Sequence, residues 1–261
     1  ISKALVAVGE RSIDNMTYVE FINAKEVKFS LFQRVWVYNI QKKTITPIRE
    51  KYNHNQSNVN PYYDEASRTY RLAYSRNEDT LIIQGKKGDV VLAGSPDIVY
   101  GKSVHRNEFG IDGGIFWSPK GNRVAFYRMD QSMVADYPMV KTSNKGIAQV
   151  QPFKYPMAGE KSHEVTVGVC NVETNEVLYL ETRKNNSIEE RENYLTNITW
   201  SPDEKFVYIA KVNRAQNHMW LERYNAINGK LDKVLFEETN PRYVEPCEGL
   251  YFLPNNPEQF L

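Results

Sequence analysis

The 261-residue chain carries 33 Lys and Arg against 32 Asp and Glu, a net charge of +1, so it lacks the basic field that would draw in nucleic acid. Hydrophobic residues make up 41% and aromatic residues 12%, which excludes a disordered chain and suits the half-buried pleated surfaces of strands. No run approaches the roughly 18 to 20 apolar residues that cross a bilayer, and residues 1–20 lack the basic start and apolar centre of a signal peptide.

Residues 1–26 alternate weakly, with Ala4–Val8 and Tyr18–Ile22 as strand candidates. From Val27 the pattern sharpens. Arg34–Ile40 is β-branched and aromatic, Gln41–Lys43 turns it, and Thr44–Ile48 returns, a hairpin with Pro47 at an edge or a strand end. Residues 49–65 are polar and Asn-rich and read as a long connection, after which Arg71–Ala93 supplies three strand candidates with turns at Arg76–Asp79 and Gly85–Gly88.

The stretch Asp97–Asp130 organises the chain. Its second half, Trp117-Ser-Pro-Lys-Gly-Asn followed by Arg123–Arg128, is a turn running into an alternating strand. The same pattern recurs at Trp200-Ser-Pro-Asp-Glu-Lys and Phe206–Ala210, 83 positions on, about two periods of a propeller blade at roughly 40 to 50 residues each. Between them Val165–Leu180 reads as a hairpin turning at Glu173–Asn175, and a similar one follows at Leu221–Leu231 with Asn228-Gly229 as its tight turn. Strand units of this period without amphipathic helices predict an all-β fold, a β-propeller of four-stranded antiparallel blades. Phe116–Arg128 and Thr199–Lys211 are expected in separate blades, with Trp117 and Trp200 packed between them.

The first half, Asp97–Gly114, is a loop dense in ionisable groups held just before a rigid element: Lys102, His105, Arg106 and Glu108. Glu108 reads either as a solvated carboxylate paired with Arg106 or as a group that binds an ammonium, and the glycines that follow let backbone approach a ligand. Other chemistry lacks its parts. There is no Gly-x-Ser-x-Gly, and Gly94 and Gly101 are too far apart for a phosphate loop. The four His have no metal-ligand spacing to one another or to Cys170 or Cys247, so no metal, cofactor or catalytic residue is expected. The two cysteines, 77 positions apart, read as buried free thiols.

Asp97-Ile-Val-Tyr, the charged segment, Phe116-Trp-Ser-Pro-Lys-Gly-Asn-Arg-Val-Ala-Phe-Tyr-Arg-Met-Asp, Tyr155-Pro-Met-Ala-Gly-Glu-Lys-Ser-His-Glu-Val-Thr-Val and Leu195-Thr-Asn-Ile-Thr-Trp-Ser-Pro-Asp-Glu together resemble the N-terminal propeller of dipeptidyl peptidase IV enzymes, in the prolyl oligopeptidase superfamily. Val104-His-Arg-Asn-Glu-Phe-Gly-Ile and Asn213-Arg-Ala-Gln-Asn-His-Met are most similar to the bacterial branch of the Bacteroides type. The resemblance covers about 27–261. It implies an eight-bladed propeller capping an α/β-hydrolase domain with a Ser-Asp-His triad, which removes dipeptides with proline or alanine second from peptides with a free N-terminus.

In that family a pair of carboxylates between the Asp-x-Val-Tyr and Trp-Ser-Pro motifs holds the substrate amine. Here that place is Lys102–Phe109: Glu108 corresponds to one acid by its distance from Trp117, Asn107 stands where the other would be, and Arg106 would orient Glu108. Lys28, before Ser30, is the counterpart by register of an arginine that contacts the substrate carbonyl. The resemblance thus implies that 1–261 is a single incomplete propeller domain, inactive alone, orienting substrate and gating access for a hydrolase domain of the same parent chain. It further implies a periplasmic or secreted setting, no cofactor, and an open question of homodimerisation. The competing reading is a non-enzymatic propeller serving as a protein-interaction platform.

Overall fold

A computed structural model describes residues 1–13, 19–31, 34–47, 56–64, 69–77, 79–142, 146–253 and 256–261. The chain is all-β and propeller-like, and it divides into two units, Ile1–His54 with Glu65–Tyr70, and Asn55–Asp64 with Arg71–Leu261. Among the described residues no helix is long and apolar enough to cross a membrane.

The first unit holds helix α1 (Ser2–Ala7) and one antiparallel sheet of β1 (Glu20–Asn23), β2 (Glu26–Leu31), β3 (Arg34–Asn39) and β4 (Thr44–Pro47), in that order. The 34–40 and 44–48 hairpin is as expected, although Ile48 lies outside the described residues. Its turn is closed by Asn39, whose Oδ1 accepts the Lys42 N–H at 2.8 Å. Strand alternation sends Val27 and Phe29 to the face where Trp36 and Ile45 are buried, and Leu5 joins that core. Ala4–Val8 is the exception to the strand expectation. Ala and Leu favour a helical turn, and a single buried residue, Leu5, suffices to dock it.

The second unit begins with a sheet of β5 (Gln56–Asp64), β6 (Thr69–Arg76), β7 (Thr80–Gly85) and β8 (Gly88–Leu92). The Asn-rich 49–65 stretch is therefore not all connection: its second half is a strand, which the next sheet holds in place through Asn60. That side chain donates to the Ile115 carbonyl at 2.8 Å, while the Asn60 backbone carbonyl accepts the Trp117 indole N–H at 3.0 Å.

The next sheet orders β10 (Ile115–Trp117), β11 (Arg123–Asp130), β14 (Glu164–Asn171) and β15 (Val177–Tyr179), and β9 (Ile98–Tyr100) pairs with the far end of β11. Between β11 and β14 the chain leaves to form a separate hairpin, β12 (Asp136–Lys141) with β13 (Gln149–Lys154). A short helix α2 (Ile188–Arg191) leads to the third sheet, β16 (Tyr194–Trp200), β17 (Phe206–Val212), β18 (His218–Asn225) and β19 (Leu231–Thr239). A pair, β20 (Phe252–Leu253) and β21 (Asn256–Phe260), closes the described chain.

The two Trp-Ser-Pro repeats stand in successive sheets, not two apart. The 83-residue spacing is one blade lengthened by the β12–β13 hairpin and the loops that flank it. Both indoles pack between sheets, as expected, and both donate backwards. Trp117 reaches the carbonyl of Asn60, and Trp200 reaches that of Phe116 at 3.0 Å.

Four residues after each Trp a second contact repeats. At Gly121, with φ of +64°, a Cβ would overlap the Tyr62 ring, whereas Glu204 reaches back to the preceding turn and accepts from Lys120 N at 2.6 Å and Asn122 Nδ2 at 2.7 Å. Apolar side chains fill the rest: Leu81, Ile83, Phe126 and Cys170 between the first two sheets, and Tyr127, Val167, Ile209 and Tyr224 between the second and third. Fully burying such a side chain contributes about 1.5 to 3 kcal/mol.

One polar cluster interrupts this core. Lys211 and Glu222, 1% and 0% exposed, lie 2.9 Å apart, and Tyr224 donates its hydroxyl to the other carboxylate oxygen of Glu222. Glu190 stands 3.6 Å from the same ammonium.

The expectation of two buried thiols holds for Cys170 only. Cys247 is exposed, on the loop after β19, where its backbone rather than its side chain faces inward: the carbonyl is so close to Gly110 that a Cβ there would sit 2.7 Å from it.

Candidate functional site

The charged segment between β9 and β10 is a 3-10 stretch, His105–Gly110, of unusual backbone. His105, Arg106, Asn107 and Phe109 all have φ between 52° and 63°, and Gly110 has φ of 73°. L-residues pay for the left-handed region, roughly 1 to 3 kcal/mol each, so the surroundings must over-determine this conformation.

Those surroundings can be named. The Asn107 N–H donates to the Val104 carbonyl at 3.0 Å, and Ser103 Oγ donates to Asn107 Oδ1 at 2.8 Å. The Phe109 ring is buried edge-on against Tyr194, with centroids 5.2 Å apart, and its carbonyl accepts from Thr196 Oγ1 at 3.1 Å. Gly110 is required twice over, by its φ and by the Cys247 carbonyl beside it. The His105 N–H donates to His163 Nε2 at 3.0 Å, and His105 Nε2 accepts the Leu195 N–H at 3.1 Å.

Within this run Glu108 alone is extended, with φ of −65° and ψ of 158°, and its side chain is exposed. The β17–β18 turn meets it. Gln216 Nε2 donates to Glu108 Oε2 at 2.6 Å and lies 3.2 Å from the Tyr194 hydroxyl, which also accepts from Arg214. The turn is itself fixed: Asn213 Oδ1 accepts the N–H groups of Asn217 and His218, each at 3.0 Å, and the Gln216 carbonyl accepts the Val244 N–H at 2.8 Å.

Glu108 is thus aimed by a neutral amide, and among the described residues no cation stands within ion-pair distance of it. A carboxylate held this way can accept charge-assisted hydrogen bonds from an incoming ammonium group.

The expected partners fall out differently. Arg106 does not orient Glu108; its guanidinium lies over the Tyr155 and Phe153 rings, 4.7 and 5.5 Å from their centroids, because the β12–β13 hairpin brings an aromatic pair to it. Asn107 sits next to Glu108 in the chain, but its side chain is engaged by Ser103. Lys28 belongs to the other unit, on β2, where its ammonium pairs with Glu20 at 2.7 Å.

Gln216, Arg214 and Tyr194 were not singled out by the sequence as site residues. The Asn213–Met219 stretch carried the family resemblance, and that was the available signal.

Burial leaves its mark on the two histidines. His105 is held well below the usual histidine range, first by desolvation and then by His163 and Arg214, and His163 is lowered to about 4 by desolvation and then by Arg214 and Arg106. Among the described residues no group of three His, Cys, Asp or Glu is placed to hold a metal ion.

The family model described as the dipeptidyl peptidase IV N-terminal region matches residues 14–261. Among solved structures, a protein from Bacteroides ovatus assigned as a dipeptidyl aminopeptidase IV is similar over 99% of this chain and 35% of its own, with 38% identity and a TM-score of 0.78. The dipeptidyl peptidase 4 of Porphyromonas gingivalis shares the fold, with a TM-score of 0.66 at 21% identity over 92% of this chain and 33% of its own. A probable dipeptidyl-aminopeptidase B of Talaromyces stipitatus is 26% identical over 88% of this chain and 27% of its own length. The chain therefore spans about a quarter to a third of the relatives it matches.

Proposed function

The chain belongs to the family of dipeptidyl peptidase IV N-terminal regions, and from that premise we propose that 1–261 is part of the propeller domain of a serine dipeptidyl aminopeptidase, orienting substrates and gating their access. Peptides with a free N-terminus and Pro or Ala second are its substrates. The cleavage chemistry belongs to a Ser-Asp-His triad in an α/β-hydrolase domain of the same parent, in a periplasmic or secreted setting. No cofactor enters this reading.

The observation that carries it is the Glu108 carboxylate, exposed, aimed by Gln216 and without a cationic partner among the described residues. An α-ammonium completes it, gaining charge-assisted hydrogen bonds worth about 1.5 to 3 kcal/mol. Asn107 and Arg106 flank the anchor on the same loop, and Lys28 is assigned to the substrate carbonyl by register with the family.

The test is kinetic, in the intact protein that contains this chain. Glu108→Gln should lower kcat/KM for free-amine X-Pro chromogenic substrates about 10- to 100-fold, with little further loss on N-acetylated ones. An unchanged kcat/KM would place the amine anchor elsewhere. A second reading, a protein-contact platform or homodimer surface, draws on the β12–β13 hairpin, which exposes Tyr137, Met139, Val140 and Val150. A parent with no hydrolytic activity and a hairpin-dependent partner would favour it.

A further inference from the structure

The two histidines are buried, and their hydrogen bonds are directed. His105 and His163 are 3% and 5% exposed, with ring centroids 5.1 Å apart, and His105 lies 4.9 Å from the Tyr194 ring. Each imidazole uses Nε2 as an acceptor: His163 takes the N–H of His105, and His105 takes the N–H of Leu195 on β16.

An imidazole nitrogen accepts only when it carries no proton, so both rings are neutral with the proton on Nδ1. The first bond fixes the first left-handed residue of the Glu108 segment to the loop before β14. The second fixes that residue's side chain to the strand bearing Tyr194, against whose hydroxyl Gln216 is set.

We propose that His105 and His163 are positioning residues for Glu108: each presents a neutral Nε2 to a backbone N–H, and together they latch the left-handed segment that carries the carboxylate, so that acid opens the latch. A protonated ring has N–H groups on both nitrogens, and the amide it faces then loses its acceptor while buried. The segment, strained at four non-glycine residues, is then left with the Asn107–Val104 and Ser103–Asn107 hydrogen bonds and the Arg106 stacking to hold its first turn.

The charged groups around the pair oppose protonation. Arg106 on the same segment and Arg214 on the β17–β18 turn both disfavour a cation at His163, and desolvation acts before either. Glu192 is committed to the Ser162 N–H at 3.1 Å and Glu108 to Gln216, while Glu160 and Lys161 on the loop before His163 are exposed and of opposite sign. Glu164, next to His163 in the chain, is paired with Arg183 and Arg191, and Tyr194 lies against His105. The latch is therefore closed at neutral pH and opens toward pH 4, the value to which His163 is lowered.

That the latch serves ligand binding rests on the amine-anchor reading, but the latch itself does not. The experiment follows backbone amides of the 261-residue chain by hydrogen exchange, as protection factors normalised for the intrinsic pH dependence. In the wild type, protection at His105 should fall roughly tenfold or more between pH 7 and pH 4, and at pH 4 it should lie well below that of Ile209 in the core of β17, whose amide reports only the global loss of stability.

His163→Gln, whose amide oxygen replaces Nε2 without titrating, should keep His105 protected at both pH values. His163→Phe should lose that protection already at pH 7, and in the intact protein it should raise KM for free-amine substrates severalfold, with His163→Gln restoring it. If the protections behave as stated and Glu108→Gln leaves kcat/KM unchanged, the latch stands and the amine anchor falls. Equal protection of His105 in the Gln and Phe variants, or no loss in the wild type at pH 4, would overturn the latch.

Discussion

Replacing Lys211 by Met removes the only fully buried cation from the third sheet and leaves Glu222, 0% exposed, with the Tyr224 hydroxyl as its remaining close partner. At 2.9 Å and an effective dielectric of about 20, the Coulomb attraction between the two is about 6 kcal/mol, most of it offset by the desolvation of both ions. The penalty for breaking the pair has a ceiling, because the stranded carboxyl can take a proton instead. For a carboxylic acid of ordinary pKa near 4.3 that costs about 3.7 kcal/mol at pH 7, inside the roughly 3 to 5 kcal/mol typical of broken buried pairs.

The same route fixes the pH dependence. Relative to wild type, the deficit of Lys211→Met should shrink as pH falls, by about 2 kcal/mol between pH 7 and pH 5.5, since the folded variant then holds a proton that the unfolded chain lacks. Lys211→Met/Glu222→Gln carries no stranded charge and keeps an acceptor for Tyr224, so it should lose less than Lys211→Met alone. Urea titrations of the four corners of this cycle at both pH values measure all of this. A loss under about 1 kcal/mol at pH 7, additivity of the two substitutions, or a deficit independent of pH would refute the reasoning.

Glu204→Ala should destabilise by roughly 2 to 4 kcal/mol, because it strips a carboxylate acceptor from Lys120 N and Asn122 Nδ2 at the join between two sheets, and denaturant midpoints of Glu204→Ala and Glu204→Gln would show whether the charge matters. Stability should also fall as pH drops from 6.5 toward 4. The folded His163 binds its proton later than the unfolded chain does, so its contribution is complete above about 6.5 and lost below about 4, roughly 3 kcal/mol in all, and His163→Gln should flatten that part of the curve measured by thermal melts.

Strand alternation and turn chemistry made most of the blade architecture readable in advance. Arg34–Asn39, Arg123–Asp130, Phe206–Val212 and the Asn228-Gly229 turn declare themselves by period and by residue type. The β5 strand did not, because its Asn-rich sequence carries no apolar alternation, and the contact that ties Asn60 to the next sheet's tryptophan runs through its backbone carbonyl.

The insertion between β11 and β14 was equally hidden. A hairpin with mostly exposed side chains has no core face to imprint a pattern, and so 83 residues looked like two blades. Of the site, the charge density of Lys102–Phe109 was visible. Its partners were not, since Gln216 and His163 lie 108 and 58 positions from Glu108 and His105. Nothing local to the sequence reports a left-handed backbone at four non-glycine residues.

The backward-pointing indoles give the fold a direction of assembly. Trp117 donates to a strand that precedes it by 57 residues and Trp200 to one that precedes it by 84, so each tryptophan, as it emerges during synthesis, meets an acceptor that is already present. Domains fold as units from the N-terminal side during translation, at about 5 to 20 residues per second. At that pace Trp200 follows Phe116 by roughly 4 to 17 seconds, time for the β10 sheet to form its own ladder while its outer face waits for the next blade. In that interval the Phe116 carbonyl at the strand end later covered by Trp200 waits without its indole donor.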